Sequence, residues 1–472
     1  MRPNETRRID RLTLGGLTLT CCALGGYAAW TGGATIPALH PPLLIFGGLS
    51  LAFLGCALGT SDRRRLVRDP FFICGALFLT LIAIQTWNTG RLLYFNPIHE
   101  RWMYTAPPFP YLPWSFNRSE SFQMLAWFGP AWALGLALRH GPARSRLANV
   151  LLWFVVVNGA LLALAGIIQW VRGDPLLFWH TAPGNRFYFA TFFYRNHAGS
   201  FMALTLAATL GLLAYHIRWR RNACASVNVP VVWALGAVIV LLLVAVHTAL
   251  SRAGILLAWA LILLFMLVQF AGVNHKRDRV GRLQIGVVLT LLAMIALLWG
   301  AILGGDALSK RAQSLHSWSN QVQGRYWQWD AAIRIWQDHP VWGVGGWGYR
   351  YLLPHYIDES LSHHLRNPGK ANAHNDLLQF LAEFGAFGLL LLLAAVSALV
   401  FRFMSAWRSV RSTPVSSFYL FTFAGLILVT IHSLMDLPFR NPAILYTFII
   451  LLAAIPAGWG HPARRSHSST AT

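Results

Sequence analysis

Three short segments place cations, imidazoles and carboxamides where long apolar runs begin or end, and a fourth lies in the stretch between two such runs. YRNHAGS carries Arg195, Asn196 and His197, and ALSRAG carries Ser251 and Arg252. QGRYWQWDAAIRIWQDHP carries Arg325, and NAHNDLLQFLAEFG carries His374, Asn375 and Asp376. Asp436 and Arg440 flank one more break between apolar runs. Guanidinium groups pair bidentately with phosphate, and a diphosphate leaving group needs such donors as its charge develops. An imidazole can take the proton of an attacking hydroxyl. Together these residue types fit transfer of a group from a membrane-held diphosphate to an alcohol. Each residue alone also has a plainer reading. An arginine at a helix end can snorkel to headgroups, and Asn375 or Asp376 can cap a helix. His374 can be an ordinary interfacial histidine, and Asp436 with Arg440 reads as a local ion pair or turn cap.

The elements that must position these groups are membrane spans. The chain of 472 residues is 56% hydrophobic and 11% charged, whereas a soluble domain carries about 25% charged residues. The predicted architecture is all-α integral membrane, with about twelve transmembrane helices near 12–31, 42–60, 70–88, 121–139, 148–170, 193–216, 230–249, 252–272, 283–304, 377–401, 416–435 and 441–458. The spans meeting near 249–252 must form a tight hairpin. The net charge of +22 sits in short clusters between apolar runs, which speaks for topology and against nucleic acid. Arg63, Arg64, Arg65 and Arg68, then Arg139, Arg144 and Arg146, then Arg218, Arg220 and Arg221 fall on alternate loops. Lys276, Arg277, Arg279 and Arg282 continue the series, as do Arg402, Arg408 and Arg411. The positive-inside rule then places both termini in the cytoplasm and the long loop 305–376 outside.

The chain divides into helices one to nine in 1–304, the periplasmic loop 305–376, helices ten to twelve in 377–458, and a polar tail 459–472 expected to be disordered. The basic N-terminus reads as an uncleaved first anchor. None of the five cysteines (Cys21, Cys22, Cys56, Cys74 and Cys224) lies in the outer loop, so no disulfide framework is expected. Within that loop, Tyr326–Gln337 places Trp329, Ile333 and Trp336 at helical spacing. This predicts a short amphipathic helix on the outer leaflet, ended by Pro340 and the glycines of HPVWGVGGWGY. Such a helix and turn would form a lid or wall over the outward ends of the bundle.

The segments ALSRAGILLA and AHNDLLQFLAEFGAFGLLLLL, with GRYWQWDAAIRIWQDHPVWGVGGWGY between them and YRNHAGSFMALTL before them, resemble the O-antigen ligase and polymerase superfamily. The resemblance covers about residues 190–400. It implies a glycosyltransferase of the bacterial inner membrane that moves a glycan from undecaprenyl diphosphate to an acceptor hydroxyl on the periplasmic face, with inversion. It implies neither metal nor cofactor. By its motifs, Arg252 and Arg325 are matched to the diphosphate and His374 to the acceptor hydroxyl or reacting centre. Arg195, His197 and Asn375 are further candidates for holding diphosphate or glycan. The acceptor can be lipid A-core, a growing polysaccharide or another hydroxyl, so a ligase and a repeat-unit polymerase both remain open. A lipid-glycan flippase is the rival of another class, but two six-helix halves do not stand out. A metal-dependent transferase would draw on Asp358, Glu359, His363 and His364, whose spacing reads better as a solvated loop.

Overall fold

The computed structural model describes residues 3–33, 35–99, 101–142, 144–173, 188–223, 229–271, 290, 325–357 and 371–454. The described helices, numbered in chain order, are α1 (Pro3–Trp30), α2 (His40–Ala57), α3 (Thr60–Val67), α4 (Pro70–Trp87), α5 (Arg118–His140), α6 (Arg144–Arg172) and α7 (Arg195–Ala223). They continue with α8 (Val229–Thr248), α9 (Arg252–Ala271), α10 (325–338), α11 (Tyr349–Tyr356), α12 (Asp376–Ser409), α13 (Val415–His432) and α14 (Pro442–Ala454). Nine of these are long and apolar enough to cross a membrane: α1, α2, α4, α6, α7, α8, α9, α12 and α13. The expected span 121–139 is present as α5, which packs against α2, α4 and α14 but is less apolar. The last expected span is present as the short, wholly buried α14. The expected span 283–304 lies outside the described residues except for Thr290, as do 305–324, 358–370 and the tail.

Side-chain caps start several of these helices. Asp69 accepts from the Phe71 amide before Pro70, and Asn117 accepts from the Ser119 and Glu120 amides. Each satisfies amides that the helix itself leaves unpaired. Asp69 also pairs with Arg139 and, at 2.7 Å, with His140, tying the start of α4 to the end of α5. Helix α7 is the centre of the bundle. Its apolar window is 94% buried, against 28–56% for the other eight candidate spans. The hairpin expected near 249–252 is tight, with α8 ending at Thr248, α9 starting at Arg252 and Leu250 in the left-handed region at φ 57°.

One departure from an all-α chain lies between α4 and α5. Strands β1 (Arg91–Asn96) and β2 (Arg101–Thr105) pair antiparallel. Their aromatic-rich sequence suits a hairpin, but a search for runs of span length passes over it. The hairpin, α10 and α11 share a small second core built on Phe116, Ala331, Ala332, Ile335, Leu352 and Leu353. The expected amphipathic helix is therefore present as α10. Its buried face is Ala331, Ala332 and Ile335, while Ile333, assigned to the membrane-facing stripe, is exposed.

The glycine turn after α10 is fastened to a transmembrane helix. At Gly385 (φ 64°) α12 departs from helical geometry. The amides of Val344 and Gly345 donate to the carbonyls of Ala382 and Glu383, and the amides of Ala386 and Phe387 donate to those of Pro340 and Val341. A Cβ on Gly385 would stand 2.1 Å from the Val341 carbonyl oxygen, and one on Gly343 2.4 Å from the Glu383 backbone. This docking ties the glycine turn to α12 on both sides of Gly385.

Candidate active site at one end of the bundle

Helices α7, α9 and α12 begin, and α13 ends, at the same end of the bundle. The start of α9 is locked to that of α7. Ser251 caps α9 by accepting from the Gly254 amide at 3.1 Å. Its hydroxyl donates to Asn196 Oδ1 at 3.0 Å. The backbones touch directly below: a Cβ on Gly254 would lie 2.7 Å from Gly199 Cα. The small residues of AGS and RAG thus serve close helix approach, which fixes Arg195 and Arg252 side by side. Arg195 is within electrostatic reach of both Arg252 and Asp436. Arg252 Nη1 is buried and has no hydrogen-bond partner among the described residues.

Asn196 also donates to Tyr194 Oη at 2.8 Å and to the Asp436 carboxylate. Tyr194 donates to Asp436 Oδ2 at 2.8 Å, and the Leu437 amide to Asp436 Oδ1 at 2.9 Å. His374 turns Nδ1 toward Asp436 Oδ1 at 3.5 Å, and His432 Nε2 stands 4.0 Å from Oδ2. Burial works to raise the Asp436 carboxyl. The hydrogen bond from His374 and the charges of His374, His432 and His197 outweigh it and hold the carboxyl well below the usual carboxylate range. Burial, with Asp436 beside it, drives the Tyr194 phenol far upward, so Tyr194 serves as a neutral donor. Arg325, the first residue of α10, donates to the Met435 carbonyl next to Asp436 and is within electrostatic reach of Tyr194 and His432.

His374 adopts φ 48°, a left-handed conformation that costs a non-glycine residue about 1–2 kcal/mol. The structure around it makes up that cost. Asn375 caps α12 by accepting from the Leu378 amide at 3.0 Å, which is the plainer of its two expected roles. The Asp376 amide donates to the Ser433 and Asp436 carbonyls, and Asp376 Oδ2 accepts from the Phe439 amide at 2.9 Å. Arg440 is not the local partner of Asp436 that sequence proximity suggests. It reaches Glu383 at 2.8 Å and Asp376 at 3.8 Å, all three side chains fully withdrawn from solvent. Neither contact is aligned as a hydrogen bond, so the attraction is ionic. The guanidinium also lies 4.7 Å from the ring centres of Trp347 and Phe380. This knot holds the 433–441 turn, and with it Asp436, against the start of α12.

Of the residues expected from sequence, His374 faces the Asp436 carboxylate, Arg325 holds the backbone one residue before it, and Arg195 lies within electrostatic reach of both Asp436 and Arg252. His197 takes a framework position, with Nε2 3.1 Å from the Leu437 carbonyl and Nδ1 3.5 Å from Asn441 Nδ2. Residues 237–393 match the protein family described as O-antigen ligase. That match covers 157 of the chain's 472 residues, from within α8 to within α12. No curated protein matches the chain. The O-antigen ligase segment contains Arg252, Arg325, His374 and Asn375. The Tyr194–His197 stretch and Asp436 lie outside it and complete the cluster from α7 and the 433–441 turn. Members of the family are membrane glycosyltransferase-like enzymes, ligases or polymerases.

Proposed function

We propose that the protein transfers a glycan from undecaprenyl diphosphate to an acceptor hydroxyl at the periplasmic face of the bacterial inner membrane, as an inverting, metal-independent O-antigen ligase-type glycosyltransferase. The observation that carries this reading is the pair Arg195 and Arg252. Both open helices, where the macrodipole already presents positive charge, and one guanidinium nitrogen of Arg252 is buried with no hydrogen-bond partner among the described residues. Asp436 is already within electrostatic reach of Arg195, and a diphosphate has the charge and the acceptor oxygens to engage the open donor of Arg252.

The reaction is a single displacement. The acceptor oxygen attacks the anomeric carbon, the bond from that carbon to the diphosphate oxygen breaks, and its electron pair leaves on undecaprenyl diphosphate. Because Nδ1 of His374 faces Asp436, Nε2 is the nitrogen that takes the acceptor's proton. Asp436 holds that tautomer and stabilises the imidazolium that forms, the role of the carboxylate in a serine protease triad. Arg252 and Arg325 neutralise charge on the departing diphosphate.

The test is transfer by the purified protein in detergent with lipid-linked glycan and acceptor. Product formation supports the reading. Absence of product, with movement of lipid-linked glycan between leaflets in sealed vesicles, would establish the flippase instead. Deletion then sorts the acceptor: normal chains left unattached mean a ligase, and single-unit chains mean a repeat-unit polymerase.

A further inference from the structure

A cavity of about 310 Å³ is bounded by Gln169 and Trp170 near the end of α6, Tyr188 and Phe189 ahead of α7, and Thr248 and Leu250 at the α8–α9 hairpin. Two of its walls run into the site. The 188–189 segment leads into Arg195, and the left-handed hairpin at Leu250 leads into Arg252. No charged side chain lines it among the described residues. Gln169 is 2% exposed, and its amide nitrogen has no hydrogen-bond partner among the described residues.

We infer that this cavity is a neutral sugar subsite, holding a sugar of the glycan while the diphosphate is held at Arg252. The inference rests on the proposed glycan transfer. Its chemistry follows from the lining. A buried amide without a partner is unfavourable against an isoprenoid chain and is satisfied by a hydroxyl. Trp170 and Tyr188 offer flat apolar faces with polar edges, which suit the two kinds of surface on a pyranose ring. The volume falls at the small end of ligand cavities, room for a short stretch of glycan and not for a whole chain. Leu250 on its wall precedes Arg252 by two residues, so the same cavity serves the first sugar of the donor or the end sugar of the acceptor.

Equilibrium binding to the purified full-length protein tests this with three probes. They are the neutral oligosaccharide released by mild acid from the host's lipid-linked glycan, the core oligosaccharide of its lipopolysaccharide, and undecaprenyl diphosphate. One oligosaccharide should bind the wild type saturably and at least about tenfold more weakly to Gln169→Leu and Trp170→Ala, a loss of about 1.4 kcal/mol. Which one binds identifies donor or acceptor. Trp170→Phe should restore binding, and undecaprenyl diphosphate should bind all of these variants as it binds the wild type. If Gln169→Leu fails to fold, Trp170→Ala against Trp170→Phe decides. Failure of both oligosaccharides to bind the wild type, or equal binding to wild type and Trp170→Ala, overturns the subsite. Failure of undecaprenyl diphosphate to bind the wild type strikes the proposed donor instead.

Discussion

The His374 imidazole and the Asp436 carboxylate meet at 3.5 Å, although 62 residues separate them in the chain. His374 stands just before α12 in a left-handed conformation. Asp436 sits in the turn between the last two described helices, held by Tyr194, Asn196 and the Leu437 amide. Removing the charge while keeping the shape isolates what this pairing contributes. Asp436→Asn should lower the transfer rate by about 10²-fold or more, the range of a general base deprived of its activation. KM for the donor should change little. A variant within twofold of wild-type kcat would remove Asp436 from the mechanism.

Arg252→Ala should weaken undecaprenyl diphosphate binding by about 10–100-fold, the worth of a charge-assisted hydrogen bond. Arg252→Lys should recover only part of it, because a point charge replaces a bidentate fork. Full recovery by lysine in a binding titration would reduce Arg252 to simple charge.

The contact between Gly199 and Gly254 makes a structural prediction that activity alone cannot mimic. Gly254→Val forces a branched side chain against the backbone of α7 and should cost about 1–3 kcal/mol by overpacking. The melting temperature in detergent should fall, and diphosphate binding should fall with it as Asn196 and Ser251 separate. An unchanged melting temperature would mean that the two helices do not approach as closely as described.

Arg440→Gln leaves Asp376 and Glu383 buried without their cation. Breaking a buried pair in this way costs about 3–5 kcal/mol. The variant should express poorly or melt early, and the double variant Arg440→Gln with Glu383→Gln should regain part of the loss. No recovery in the double variant would separate Glu383 from the knot.

Acid sensitivity should also report on Asp436. Its carboxyl is held below the ordinary range in the fold, whereas an unfolded aspartate titrates near about 3.9. A lowered folded pKa stabilises at pH above the unfolded value and loses that stabilisation as pH falls through the folded one. Between pH 5 and 8 this group should add no slope to the melting temperature. Below about pH 4 the wild type should lose stability faster than Asp436→Asn, and parallel curves for the two would contradict the assignment.

Much of this molecule is legible from one dimension. Apolar runs mark the spans because a helix in lipid needs about 20 such residues. Arg252, Arg325 and His374 stand out because charge at a membrane boundary asks for a reason. Asn375 is readable as a cap, since capping is settled within one helical turn. Tertiary structure alone decides the partners of these groups. Asp436 looks like the neighbour of Arg440 but belongs to His374, while Arg440 belongs to Asp376 and Glu383. The glycines after α10 look like a free turn but close onto the break in α12 at Gly385. The physical reason is that buried charges and unpaired backbone groups must find partners wherever the packed helices bring them. The position of His374 is a matter of sequence, and its meeting with Asp436 is a matter of packing.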